Sequence, residues 1–285
     1  MTYYLYFIIH VLNGAFYPQE DADPLTTMSY SLPDEEDIVW DEKVISQDII
    51  ERLDEQIAIL WNAADLEEDI CLQIPLLLRL GENLNKKEYM EDILRGKYND
   101  NNNENHLLSL TLSSSLLKFK FKLIKRYQYV VDFCTQHQHL PLLMYRYANL
   151  LSRINLEENA DTVFGLLNKN HPKSIYSALS YYYRGEYALY KLSNFKLALN
   201  LFKHAERSTN TKIHFLSLYQ QAWCYINLKD FKLSKLKFKN LITLVNNYSQ
   251  SDINYSFLIQ LKEDSIRDYI RSCVLDGMSA QQILL

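Results

Sequence analysis

Asn194-Phe195-Lys196-Leu197-Ala198 and Asp230-Phe231-Lys232-Leu233-Ser234 are one pattern written twice, 36 residues apart. The same offset relates Tyr183 to Tyr219, Leu192 to Leu228 and Phe202 to Phe238. A period of this length holds two helices and a turn, the repeat unit of a helical solenoid. The residue types suit that geometry. Small Ala198 and Ser234 let a second helix approach the first, Phe195 and Phe231 cover the tight turn, and Phe202 and Phe238 fill the gap towards the next repeat. One hairpin cannot bury its own apolar face, so such units must stack.

Working outward, the chain reads as helices throughout. Ile45, Ile49, Leu53, Ile57 and Leu60 with Trp61 form one stripe of an amphipathic helix. Pro75 and Pro141 suit the first turns of two more. Leu112, Leu116, Phe119, Leu123, Tyr127 and Val130 share one face, with Lys118, Lys122 and Lys125 on the other. The stretches 97–106 and 168–174 are polar breaks, and further helices are expected near 175–192, 195–207, 212–228, 231–247 and 256–275. Six glycines and six prolines in 285 residues leave too few turn formers for a sandwich or barrel. The expected class is all-α, a superhelix of antiparallel hairpins over 44–285.

Charge divides the chain. Between Glu20 and Ile70 there are seventeen acidic residues and two basic ones, while the whole chain carries −5. Residues 1–43 therefore read as a leader whose acidic part, 20–42, lacks periodicity. The acidic stretch is either a solvated segment or one that meets basic groups in the chain or on a partner. Nucleic acid is a poor partner, because the basic residues form no dense patch. Leu5–Leu12 is apolar and followed by Asn13-Gly14-Ala15, so 1–15 reads either as a signal peptide or as an N-terminal strand or helix turn. Cys71, Cys134, Cys224 and Cys273 lie far apart and are expected to be free, buried thiols.

Beyond periodicity, residues 171–202 (HPKSIYSALSYYYRGEYALYKLSNFKLALNLF) and 216–238 (LSLYQQAWCYINLKDFKLSKLKF) resemble the repeats of tetratricopeptide proteins, in particular those of the cell envelope of delta-proteobacteria. Residues 74–92 and 261–272 are similar to the helices that flank those repeats, so the resemblance covers about 44–275. It implies a right-handed superhelix whose concave face binds other proteins, in a periplasmic or outer-membrane-associated scaffold. Two features depart from the family: Ser193, Lys229 and Ser234 replace its usual Gly and Ala, and the chain ends on apolar Ile283-Leu284-Leu285, which we expect to contact something.

Sites of chemistry are sparse. Cys134, His137 and His139 could supply at most three ligands to a metal, with no second cluster, and read better as a helix end. Glu67-Glu68 and Glu157-Glu158 read as first turns of helices, where negative charge meets the dipole. Phosphate-loop, dinucleotide, nucleophile-elbow and zinc-protease motifs are missing, so no enzyme, no cofactor and no small-molecule substrate is expected. The expected function is a protein-binding scaffold. Its groove would take a peptide or helix segment on Tyr183, Tyr187, Tyr219, Gln220 and Trp223, with membrane association only indirect. The alternative is a cytosolic adaptor or chaperone-like module whose acidic leader is autoinhibitory.

Overall fold

A computed structural model of the chain describes residues 47–98, 105–248 and 255–279. The leader 1–43, its possible signal peptide and the apolar end Ile283–Leu285 lie outside these residues. Among the described residues there are ten α-helices and no strand. They are α1 (Gln47–Leu66), α2 (Ile74–Tyr98), α3 (Asn105–Phe133), α4 (Leu140–Arg153), α5 (Glu157–Asn170), α6 (Ile175–Glu186), α7 (Phe195–Ala205), α8 (Thr211–Asn227), α9 (Phe231–Asn246) and α10 (Tyr255–Leu275). A 3-10 turn, Ile70–Gln73, precedes α2, and a π turn, Tyr187–Lys191, follows α6.

Each helix packs against the next as an antiparallel neighbour. In addition α2 touches α4, α4 touches α6, α6 touches α8 and α8 touches α10. The even helices thus form one contiguous layer, and the odd helices back it. Local sequence sets the helix ends. Ser174, Asn194, Asn210 and Asp230 cap α6, α7, α8 and α9 by accepting a backbone N–H of the first turn. Glu157 and Glu158 do occupy the first turn of α5. Glu67 and Glu68 instead follow the end of α1, where the Glu67 carboxylate accepts the Asp69 N–H.

The repeat is more extensive than the 36-residue offset suggests. Tyr145, Tyr182 and Tyr219 recur at 37 and 37, and Phe164, Phe202 and Phe238 at 38 and 36. In each hairpin the tyrosine of the even helix meets the phenylalanine of the odd helix, with ring centroids 6.1, 5.6 and 5.7 Å apart. Ala148, Gly185 and Ala222 supply the small residue one turn on, and Ala160, Ala198 and Ser234 supply it on the partner helix. Residues 140–170 are therefore a repeat that the sequence pattern did not disclose. The turns match too: Asn155, Ser193 and Lys229 all have left-handed φ, at 63, 50 and 61°. These are the conformations that glycine adopts most readily.

The π turn alters the register. It adds one residue to the end of the helix, so the Asn194 N–H reaches back six residues to the Ala188 carbonyl. The Asp230 N–H and the Leu156 N–H each reach back five, to Tyr225 and Leu151. Upstream of the turn the true offset is 37, and the equivalent of Tyr219 is Tyr182. The pairing of Tyr183 with Tyr219 read from the sequence is one residue out. Tyr183 corresponds to Gln220.

The N-terminal helices follow the same logic with more polar cement. Ile50, Leu53, Ile57, Trp61 and Ala64 form the buried stripe of α1, with Ile49 and Leu60 at its margin. Asp54 pairs with buried Lys87 of α2, and Asp65 pairs with Arg126 and Lys122 of α3. In this part of the acidic stretch, acid and base meet within the chain. The cysteines correct the sequence reading: Cys71 and Cys134 form a disulfide, Cα to Cα 5.5 Å, while Cys224 and Cys273 are free and buried. That bond ties the 3-10 turn before α2 to the end of α3.

Candidate functional site

The contiguous even-helix layer carries a polar constellation where α6, the π turn, α8 and α10 come together. It starts from the ladder tyrosines. The Tyr182 ring is buried against Phe202, which directs its hydroxyl to the Glu186 carboxylate one helical turn on, Oη to Oε1 3.1 Å. Its counterpart Tyr219 is buried against Phe238 and donates to Asp268 Oδ2 of α10 at 2.5 Å. The π turn rotates Tyr190 so that its hydroxyl donates to Gln220 Oε1 of α8 at 3.0 Å. Tyr190 as a whole remains 43% exposed.

The two acids differ in company. Asp268 also accepts from Arg271 Nη1 at 2.9 Å, and that guanidinium lies over the Trp223 ring, 5.4 Å from its centroid. Asp268 therefore has a phenol, a cation and an aromatic wall. Glu186 is half-buried, takes the Tyr182 hydroxyl, and has no cation paired with it among the described residues. Burial in this setting pushes its carboxyl up to about 8, with the Tyr182 bond acting the other way. Gln220 is fully buried, and its Nε2 has no hydrogen-bond acceptor although its amide also faces Tyr182. A buried donor left unpaired is costly, of order 1–3 kcal/mol.

The surrounding phenols and thiol are held neutral. Burial raises Tyr182, with Glu186 adding to the effect, and raises Tyr190 for the same two reasons. Burial, then Asp268, raises Tyr219, and burial pushes Cys224 up to about 12. None of these groups supplies a nucleophile near neutral pH.

The five residues singled out in the sequence fall into two groups. Tyr219, Gln220 and Trp223 come together with Asp268 and Arg271, although Tyr219 and Gln220 are buried and only Trp223 is part-exposed. Tyr183 packs backwards, stacked on Phe164 at 5.6 Å and beside Tyr145 at 6.2 Å, where it seals the joint between two repeats. Tyr187 is half-exposed at the start of the π turn. Sequence reasoning missed Glu186, Asp268 and Arg271. The available signal was an acid inside an aromatic run, Tyr181-Tyr182-Tyr183-Arg184-Gly185-Glu186-Tyr187, with no basic residue one turn away to neutralise it. Cys134 is taken by its disulfide, and among the described residues no group of His, Cys, Asp and Glu is arranged to hold a metal.

Compared with known proteins, the sequence matches no family model and no curated protein.

Proposed function

We propose that the chain is a non-catalytic protein-binding scaffold built on tetratricopeptide-like repeats, whose even-helix layer holds a peptide or helical segment of another protein in a bacterial cell-envelope assembly. The observation that carries this reading is the layer itself. Successive even helices touch, and they present part-exposed Tyr187, Tyr190 and Trp223 beside a half-buried acid. Exposed aromatics around a polar centre are the usual anchors of protein interfaces. The repeat resemblance over 171–238 supports the scaffold class. The Cys71–Cys134 disulfide supports an oxidising compartment such as the periplasm, since cytosolic disulfides are rare. Among the described residues no helix is long and apolar enough to cross a membrane.

The test is site-specific photocrosslinking in the native cell. A photoreactive amino acid replaces Tyr190 or Trp223 on the even layer, or exposed Leu197 or Leu236 on the odd helices. A recurring protein adduct from the even positions alone is the expected result. Adducts of equal yield from both layers, or from neither, would overturn the reading.

A further inference from the structure

Two ladder tyrosines one repeat apart each donate to an acid, and among the described residues only one of those acids holds a cation. In the second, a ladder tyrosine (Tyr219) donates to an acid (Asp268), and the acid holds a guanidinium (Arg271) that rests on an aromatic ring (Trp223). In the first, the equivalent ladder tyrosine (Tyr182) donates to an acid (Glu186), and an aromatic ring (Tyr190) stands beside it, part-exposed. No side-chain cation reaches Glu186 among the described residues. We propose that this first constellation is a binding site for an arginine side chain of a partner polypeptide, which would occupy the place at Glu186 that Arg271 occupies at Asp268. This rests on the reading of the even-helix layer as the binding face.

Two features point to that ligand. A half-buried carboxylate gains most from a cation that is itself hydrogen-bonded and weakly hydrated, and guanidinium is weakly hydrated and forked where ammonium is compact and strongly hydrated. An exposed phenol ring adds a cation–π contact of about 0.5–1 kcal/mol. The groups that sense Glu186 are Tyr182 and Tyr183 on its own helix and Tyr190 from the π turn, while Gln220 and Cys224 from α8 and Asp268 on α10 act on Tyr190. The phenols and the thiol stay neutral throughout the range in which Glu186 ionises, and Asp268 is already paired with Arg271.

Occupation therefore exchanges a proton for a guanidinium. Below about pH 8 the carboxyl must release its proton before it can take the cation. Affinity should rise up to about tenfold per pH unit towards that value and level off above it. The probe is N-acetyl-arginine methylamide, titrated into the full chain by NMR or calorimetry, beside N-acetyl-citrulline methylamide, its neutral isostere. The arginine probe should bind in preference to citrulline, more tightly at high pH, and Glu186→Gln should abolish both the preference and the pH dependence. Equal affinity for the two probes, binding of neither, or a preference that survives in Glu186→Gln would overturn the proposal. The pH profile is read on the unmodified chain, so it holds even if the variant fails to fold. Should photocrosslinking find no partner while the arginine probe binds, the scaffold reading fails and the site stands.

Discussion

Gly185 lies so close to Phe202 that a Cβ built on it would fall 2.6 Å from the ring's Cε1 and 2.8 Å from Cδ1. This close approach lets α6 and α7 meet over the buried Tyr182–Phe202 pair. The two neighbouring hairpins carry Ala148 and Ala222 at the same rung. The phenylalanine ring therefore sits deeper in the middle hairpin than a methyl group allows. Gly185→Ala should destabilise the chain by about 1–3 kcal/mol through overpacking, less whatever the helix gains from losing a glycine. Urea denaturation followed by circular dichroism measures it. A stabilising effect would show that the ring can withdraw without cost.

Lys229 is the reverse case, a side chain where the backbone asks for none. Its φ of 61° lets the Asp230 N–H close on the Tyr225 carbonyl and the Lys229 N–H on Ile226, both at 2.9 Å. A left-handed residue with a Cβ costs roughly 1–2 kcal/mol, and glycine escapes that at some cost in unfolded-state entropy. Lys229→Gly should therefore raise stability by about 0.5–1 kcal/mol. Asn155→Gly should gain less, because asparagine tolerates this conformation better. Equal gains at the two positions in denaturant midpoints would contradict the argument.

The 36-residue offset was legible because Asn194 and Asp230 both cap a helix and Ala198 and Ser234 both face the core, duties that fix the residue type. The repeat at 140–170 was not, because Leu156 replaces the polar cap and the spacing there is 37 to 38. The π turn was also hidden, since one added residue leaves the apolar content of Tyr187–Lys191 unchanged while moving every upstream side chain by about 100° around the axis. That is why the sequence pattern puts Tyr183 in the groove and gives Tyr182 no particular role. Of the site, the aromatic and amide positions could be read. Asp268 and Arg271 could not, because their link to Tyr219 and Trp223 crosses from α10 to α8, and Glu186 could not, because its pairing with Tyr182 depends on the burial that tertiary packing creates.

Two cysteines 63 positions apart gave no local sign of pairing, yet their bond closes a loop containing α2 and α3. A cross-link of that span contributes about 2–4 kcal/mol, mostly by restricting the unfolded chain. Reduction should lower stability by that amount. Because helices contact chiefly their chain neighbours, it should speed hydrogen exchange in α1 to α3 far more than in α6 to α10. Without reductant, the unfolded chain should show two titratable thiols, Cys224 and Cys273. Four would mean that Cys71 and Cys134 are not joined, and uniform exchange would mean that the repeats unfold as one.

Glu186 gives the fold a pH dependence whose sign follows from its burial. Its carboxyl is raised from the usual 4.5 to about 8. Between those values the folded chain keeps a proton that the unfolded chain has released, so the folded state binds more protons. Stability must then fall as pH rises through that window. Below it both states are protonated and the penalty vanishes; above it both are ionised and the penalty stops growing. The slope cannot exceed about 1.4 kcal/mol per pH unit, and solvent at this half-buried side chain will make it smaller. Glu186→Gln removes the ionisation while leaving an oxygen to accept the Tyr182 hydroxyl. The variant and the parent should melt together near pH 4, and the variant should melt higher by pH 8. Tyr182, Tyr190 and Cys224 titrate above this window, so the difference between the two curves isolates Glu186. Adding the arginine probe should close the gap at pH 8 by stabilising the parent alone, because only there does the bound cation meet a carboxylate.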